Sequence, residues 1–113
     1  MDIRALCRSY LRGLTEVLLR GDAREESCYG ALERFLAAYA RAAGLEGIHV
    51  TVLPKPTEAG NPDFRVWDGR QHIVGYIEAK APTAENLEPV AASEQLKRYR
   101  GTFPNLILTN FFE

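Results

Sequence analysis

Two acids and a lysine form the pattern richest in chemistry. An aspartate opens one segment in Asn61-Pro62-Asp63-Phe64, and a glutamate lies fifteen residues on in Tyr76-Ile77-Glu78-Ala79-Lys80. Side chains along a strand alternate faces, so Glu78 and Lys80 share one face while Ile73, Gly75, Ile77 and Ala79 make the other apolar or small. On the preceding segment Phe64 and Val66 are apolar, and Asp63, Arg65 and Trp67 alternate with them. Both strands are therefore expected to bury one face and present Asp63, Glu78 and Lys80 on the other. Two carboxylates on adjacent strands suit a hard divalent cation, which prefers carboxylate and water oxygens. Such a cation stabilises the negative charge that develops on phosphate oxygens during phosphodiester hydrolysis. A lysine beside it can hydrogen-bond the attacking water or the phosphate. An acid and a lysine two apart are common on exposed strands, and Pro-Asp is common in turns. Their conjunction over an apolar reverse face is what carries weight.

The elements that must position these residues are readable from the same chain. Ile3, Leu6, Cys7, Tyr10, Leu11, Leu14, Val17 and Leu18 recur at three- and four-residue steps and predict a helix over 3–20, ended by Gly21-Asp22. A second helix over 24–43 buries Tyr29, Leu32, Phe35, Leu36 and Tyr39, with Gly44 past its end. Ile48 to Leu53 reads as a strand, and 54–62 as a loop rich in Pro, Gly and Asn. Phe64 to Trp67 is a second strand, Asp68 to Gln71 a turn, and Ile73 to Lys80 a third strand stopped by Pro82. Ser93 is placed to cap a helix running to Arg100. Leu106 to Leu108 is a fourth strand, and Phe111-Phe112 starts a fifth. The order ααβββαβ predicts an α+β (α/β) fold, a central mixed sheet flanked by helices. If Asp63 faces Glu78, then Asp68 faces Ile73 and the hairpin loop is Gly69-Arg70-Gln71-His72, an allowed length. A tighter turn would move Asp63 toward Tyr76, diagonal to Glu78. In either register the carboxylates are expected to approach one metal site.

The pair Asn61-Pro62-Asp63 and Glu78-Ala79-Lys80 resembles the PD-(D/E)XK, or restriction-endonuclease-like, superfamily. Gln95-Leu96-Lys97-Arg98-Tyr99 resembles the Q-x-x-x-Y element of its RecB-type branch, with Gln95 and Tyr99 on one helix face. Together with 103–110, these runs are similar to the N-terminal nuclease domain of single-chain type IIG and type ISP restriction-modification enzymes, over about residues 24 to 113. In those enzymes a nuclease precedes an adenine DNA methyltransferase. The resemblance implies Mg²⁺, with Mn²⁺ as substitute, held by Asp63, Glu78 and the backbone carbonyl of Ala79. It implies catalytic roles for Asp63, Glu78, Lys80 and a further helix acid. Glu26-Ser27-Cys28-Tyr29 resembles the helix that donates that acid, which assigns it to Glu26, with Glu33 and Glu25 as competitors. Gln95, Tyr99, Lys97 and Arg98 take supporting or DNA-contacting roles. Double-stranded DNA is the implied partner, cut to 5′-phosphate and 3′-hydroxyl ends. Methyltransferase and target-recognition domains are missing from these residues.

The bulk composition bounds this reading. The chain has 113 residues, the size of one domain, and is 46% hydrophobic and 26% charged, which is ordinary for a globular protein. Its formal net charge of -1 counts against strong free-standing nucleic-acid binding, although acidic metal ligands also lower the balance. No apolar run approaches the ~20 residues that cross a bilayer, and nothing near Met1 reads as a signal peptide. Cys7 and Cys28 lack disulfide or zinc-site spacing and read as reduced thiols of a cytoplasmic protein. His49 and His72 share no context that suggests a ligand pair. Arg65, Arg70 and Arg100 are further candidates for phosphate contact, and Trp67 for capping the sheet edge. The ending in Phe111-Phe112-Glu113 is apolar, which reads as an N-terminal piece of a longer protein. Two other functions fit the same pattern: a catalytically silent PD-(D/E)XK module that binds DNA or is structural, and a stand-alone repair or junction-resolving nuclease.

Overall fold

A computed structural model describes residues 2–70 and 72–113. Met1 at the N-terminus and Gln71, read above as part of the hairpin turn, lie outside the described residues. Helix α1 spans Ile3–Leu19, and Asp2 caps it by accepting from the Ala5 N–H at 2.7 Å. A 3₁₀ turn, Glu25–Cys28, leads into α2, Tyr29–Ala42. Strands β1 (His49–Val52), β2 (Phe64–Trp67) and β3 (Ile73–Ala79) follow. Short helix α3 (Glu88–Ala91) and helix α4 (Glu94–Thr102) precede β4, Leu106–Thr109. Ser93 caps α4 as expected, accepting from Leu96 N–H at 3.3 Å. No helix of the described residues is long and apolar enough to cross a membrane.

The sheet has the order β1-β2-β3-β4. β1–β2 and β2–β3 are antiparallel, and β3–β4 is parallel. A parallel pair needs a crossover, and α3 and α4 supply it. Phe64 pairs with Ile77 and Arg65 with Tyr76, and continuing that register by one step sets Asp63 across from Glu78. The hairpin end departs from the simple count. A register shift between Val66 and Trp67 brings Trp67, not Asp68, opposite Ile73. Asp68 closes the turn instead, its Oδ1 accepting from the N–H groups of Arg70 and His72 at 2.8 and 3.1 Å. The bulge absorbs one residue at the far end of the hairpin, so the pairing beside Asp63 is undisturbed.

Both faces of the sheet are covered. Under α1 and α2, Leu14, Cys28, Tyr29 and Ala31 pack on Phe64, Ile77, Ala79 and Phe111. Phe64 and Leu14 are fully buried, each contributing about 1.5–3 kcal/mol through removal of apolar surface from water. On the other face Tyr76 joins Ala59, Leu96, Tyr99 and Phe103 under α4. Tyr76 stacks on Phe103 with centroids 4.0 Å apart. The expectation of one buried face and one open acid-bearing face is therefore corrected. The crossover helix must lie over one side of the sheet, and it lies over the side that carries Glu78.

Three elements also differ from the sequence expectation. The second helix opens as a 3₁₀ turn, at whose start the Ser27 hydroxyl accepts from the Arg24 N–H at 3.0 Å. Among the described residues no fifth strand forms at Phe111-Phe112. Phe111 adopts φ 76°, its N–H binds Thr109 Oγ1, and Asn110 Oδ1 accepts from the N–H groups of Phe112 and Glu113. The chain turns back there and sends Phe111 into the core. The short α3 carries Pro89 in its first turn, and Asn86 Oδ1 accepts from the Glu88 N–H. Four residues are too few to show a helical period.

Candidate metal centre

Asp63 sits immediately before β2, where the main chain stops pairing as a strand and its carboxylate takes over. Asp63 Oδ2 accepts from the Ala79 N–H at 2.8 Å, so the side chain satisfies the last β3 donor that β2 leaves free. The N–H and C=O of one strand residue aim at the same neighbour, so the Ala79 carbonyl shares the edge that Asp63 occupies. Asp63 Oδ1 accepts from the Tyr29 hydroxyl at 2.7 Å. The same hydroxyl lies 3.1 Å from Glu25 Oε1.

Glu78 and Lys80 share a face, as strand alternation requires, and Lys80 Nζ stands 3.2 Å from Glu78 Oε2. Glu78 is only 4% exposed. Its other oxygen, Oε1, is buried and has no hydrogen-bond partner among the described residues. Burial first, and then the neighbouring Asp63 carboxylate, push the Glu78 carboxyl up to about 7, against the opposing pull of Lys80. Lys80 Nζ donates to Gln95 Oε1 at 3.5 Å, and Gln95 Nε2 donates to the Tyr99 hydroxyl at 3.3 Å. The β1–β2 loop closes over this end of α4. Arg98 Nε donates to the Ala59 carbonyl at 3.4 Å, and Gly60 packs against the Tyr99 hydroxyl.

The structure thus brings together Asp63, Glu78, Lys80, Gln95 and Tyr99. It does not bring Glu26 to them. Glu26 faces solvent and pairs at 3.8 Å with Arg24. The acid that reaches the cluster is Glu25, whose carboxyl is raised chiefly by burial and also by the Asp63 charge, with Tyr29 and Lys80 opposing. Glu25 lies four residues before Tyr29 and meets its hydroxyl, while Glu26, the next residue, turns away to solvent. Glu33 makes no hydrogen bond or ion pair with the cluster among the described residues. Lys97 points outward and pairs with Glu94 at 3.7 Å, while Arg98 clamps the loop. Trp67 and His49 pack their rings together at 5.7 Å, at the other end of β2 from Asp63. Tyr29 reads in the sequence as a core residue only. The signal for it was present: Glu25 and Tyr29 are four apart, the spacing that links Gln95 and Tyr99.

The charge balance suits a bound cation. Three carboxylates, Glu25, Asp63 and Glu78, face one ammonium, Lys80. Among the described residues no group of three or more His, Cys, Asp or Glu is placed to hold a metal ion. The oxygens that could hold a cation are those of Asp63 and Glu78 with the Ala79 carbonyl, a donor type that hard cations such as Mg²⁺ prefer. The unsatisfied Glu78 Oε1 fits this, since a buried carboxylate oxygen without a partner is costly unless a cation or donor meets it.

The mixed four-stranded sheet with helices on both faces is an α+β arrangement, and it is compatible with the restriction-endonuclease-like fold. It is similar to a chain in the cryo-EM structure of a DrdV–DNA complex, with a TM-score of 0.65 and 23% sequence identity. The match covers 84% of this chain and 66% of that one, so these residues span just under two thirds of the matched chain. At this identity the likeness establishes the fold. No protein-family model matches the chain. No curated protein matches it either.

Proposed function

We propose that the chain is a Mg²⁺-dependent endonuclease domain of the PD-(D/E)XK kind, hydrolysing phosphodiester bonds of double-stranded DNA. The observation that carries this reading is the meeting of Asp63 and Glu78 across the β2–β3 end, with Lys80 Nζ 3.2 Å from Glu78 and Glu78 Oε1 buried without a partner. The DNA in the similar DrdV complex supports nucleic acid as the substrate. Asp63, Glu78 and the Ala79 carbonyl would hold the cation, which supplies positive charge against the phosphate oxygens as they gain negative charge. Lys80 donates a hydrogen bond to the attacking water or the phosphate. Gln95 holds Lys80 in place, and Tyr99 holds Gln95. Arg98 and Lys97, on the exposed side of α4, are the candidates for phosphate contact. The sequence resemblance extends the proposal to the cleavage module of a restriction-modification enzyme, with target recognition supplied by methyltransferase and recognition domains.

Plasmid cleavage tests the proposal. Wild-type chain with Mg²⁺ is expected to nick or linearise supercoiled DNA, and EDTA to stop it. Asp63→Ala and Lys80→Ala are each expected to slow cleavage at least about 100-fold, the scale of losing a positioned proton-transfer or charge-stabilising group. Cleavage by both variants at the wild-type rate, or cleavage that persists in EDTA, would overturn it. Wild-type chain that binds DNA and never cuts would favour the silent module.

A further inference from the structure

The proposed chemistry leaves the Tyr29 hydroxyl without a task. Its ring is buried, 4% exposed, and wedged between Phe64 and Phe111 with centroids 4.9 and 6.2 Å away. Those contacts fix where the hydroxyl points. Burial first, and then the Asp63 carboxylate, hold the phenol well above its usual range, so it stays a neutral donor. A phenol carries one hydrogen, and two carboxylate oxygens compete for it. Asp63 Oδ1 at 2.7 Å is the nearer, with Glu25 Oε1 at 3.1 Å behind it. The Ala79 N–H holds the other Asp63 oxygen at 2.8 Å. Each oxygen of Asp63 is thus tied by one donor, one from a core tyrosine and one from the β3 main chain. Two ties on opposite oxygens stop rotation of the carboxylate, and each oxygen keeps a lone pair for another ligand.

We infer that Tyr29 is a positioning residue for the metal centre: its hydroxyl, working with the Ala79 N–H, locks the Asp63 carboxylate in the orientation that faces Glu78. This rests on the reading of Asp63 and Glu78 as cation ligands. Partners of a ligating carboxylate typically set metal affinity within a 10–100-fold range. A buried tyrosine whose hydroxyl merely needs a partner would instead affect folding alone.

The test uses the 113-residue chain as wild type, Tyr29→Phe and Asp63→Asn. Mn²⁺ binding is measured by calorimetric titration, melting in EDTA reports folding, and plasmid nicking is followed against Mg²⁺ concentration. Asp63→Asn is expected to lose Mn²⁺ binding. Tyr29→Phe keeps the packed ring and is expected to bind Mn²⁺ about 10-fold more weakly. It needs correspondingly more Mg²⁺ to nick DNA, with its rate returning toward wild type once Mg²⁺ saturates. A loss confined to folding would not produce that split. If Asp63→Asn loses Mn²⁺ while Tyr29→Phe binds it as wild type does, the inference is wrong and the metal reading survives. If Asp63→Asn binds Mn²⁺ unchanged, the metal reading itself fails and takes the inference with it. Should Tyr29→Phe not fold, replacing Tyr29 with 4-aminophenylalanine restores a donor on the same ring. Wild-type Mn²⁺ affinity in that protein supports the inference, and weakened affinity in a folded protein overturns it.

Discussion

Replacing Glu78 with glutamine should stabilise the metal-free protein, and should do so only above a definite pH. The folded-state carboxyl lies at about 7, against an ordinary 4.5. The folded chain therefore keeps a proton that the unfolded chain has already released. Stability tied to that proton is complete below about 4.5 and is lost as the pH rises through about 7. At about 1.4 kcal/mol for each pH unit between the two values, the loss amounts to about 3 kcal/mol. Lys80, 3.2 Å away, already opposes this loss, so the figure is what remains after the ion pair has acted. Glu78→Gln removes the charge and keeps the shape. In EDTA at about pH 8 it should melt about 10 °C above wild type, and below about pH 4.5 the difference should vanish. Saturating Mg²⁺ should raise the wild-type melting temperature and leave Glu78→Gln unmoved, because a ligand that binds only the folded chain stabilises it by mass action. Melting curves by circular dichroism across that pH range are the assay. A constant offset between the two proteins at every pH would show that Glu78 is not held as a destabilised buried carboxylate, and the reasoning would fail.

Two substitution experiments test the surrounding frame. Glu25→Gln should weaken Mg²⁺-dependent nicking while Glu26→Gln leaves it unchanged, because Glu25 adds negative charge beside Asp63 and Lys80 and Glu26 faces solvent; equal rates for both variants would remove Glu25 from the site. Gly60→Ala should lower the melting temperature by about 5–10 °C, given a strain cost of about 1–3 kcal/mol. Gly60 has φ +133°, and a Cβ there would sit 3.1 Å from the Tyr99 hydroxyl. An unchanged melting temperature would mean that the β1–β2 loop is not fastened to α4.

Much of this frame is local and legible in the sequence. Period-2 alternation places Glu78 and Lys80 on one face, and the Ser93 cap starts α4 where expected. Hairpin counting leaves Asp63 either across from Glu78 or diagonal to it, and the register of β2 and β3, continued one step, takes the first of these. Each follows from side-chain periodicity or from a single capping hydrogen bond, and so from residues near one another in the chain. The choice of Glu25 over Glu26 is different. Both lie at the start of a helical segment, and Glu25 is picked out because it meets the Tyr29 hydroxyl, which binds Asp63 from thirty-four residues away. The bulge at Val66 and Trp67 likewise depends on how Asp68 closes its turn.

For Asp63, Glu78 and Lys80, residue type and spacing were enough to mark the three as a candidate site and to place them at one end of a hairpin. Folding settled what surrounds them. Asp63 and Tyr29 are thirty-four residues apart, and Lys80 reaches Gln95 only because the β3–β4 crossover lays α4 over the acid-bearing face. That cover buries Glu78, and burial is the first cause of its raised carboxyl. Periodicity reports which way a side chain points from its own strand; it carries no information about which distant element will exclude water from it.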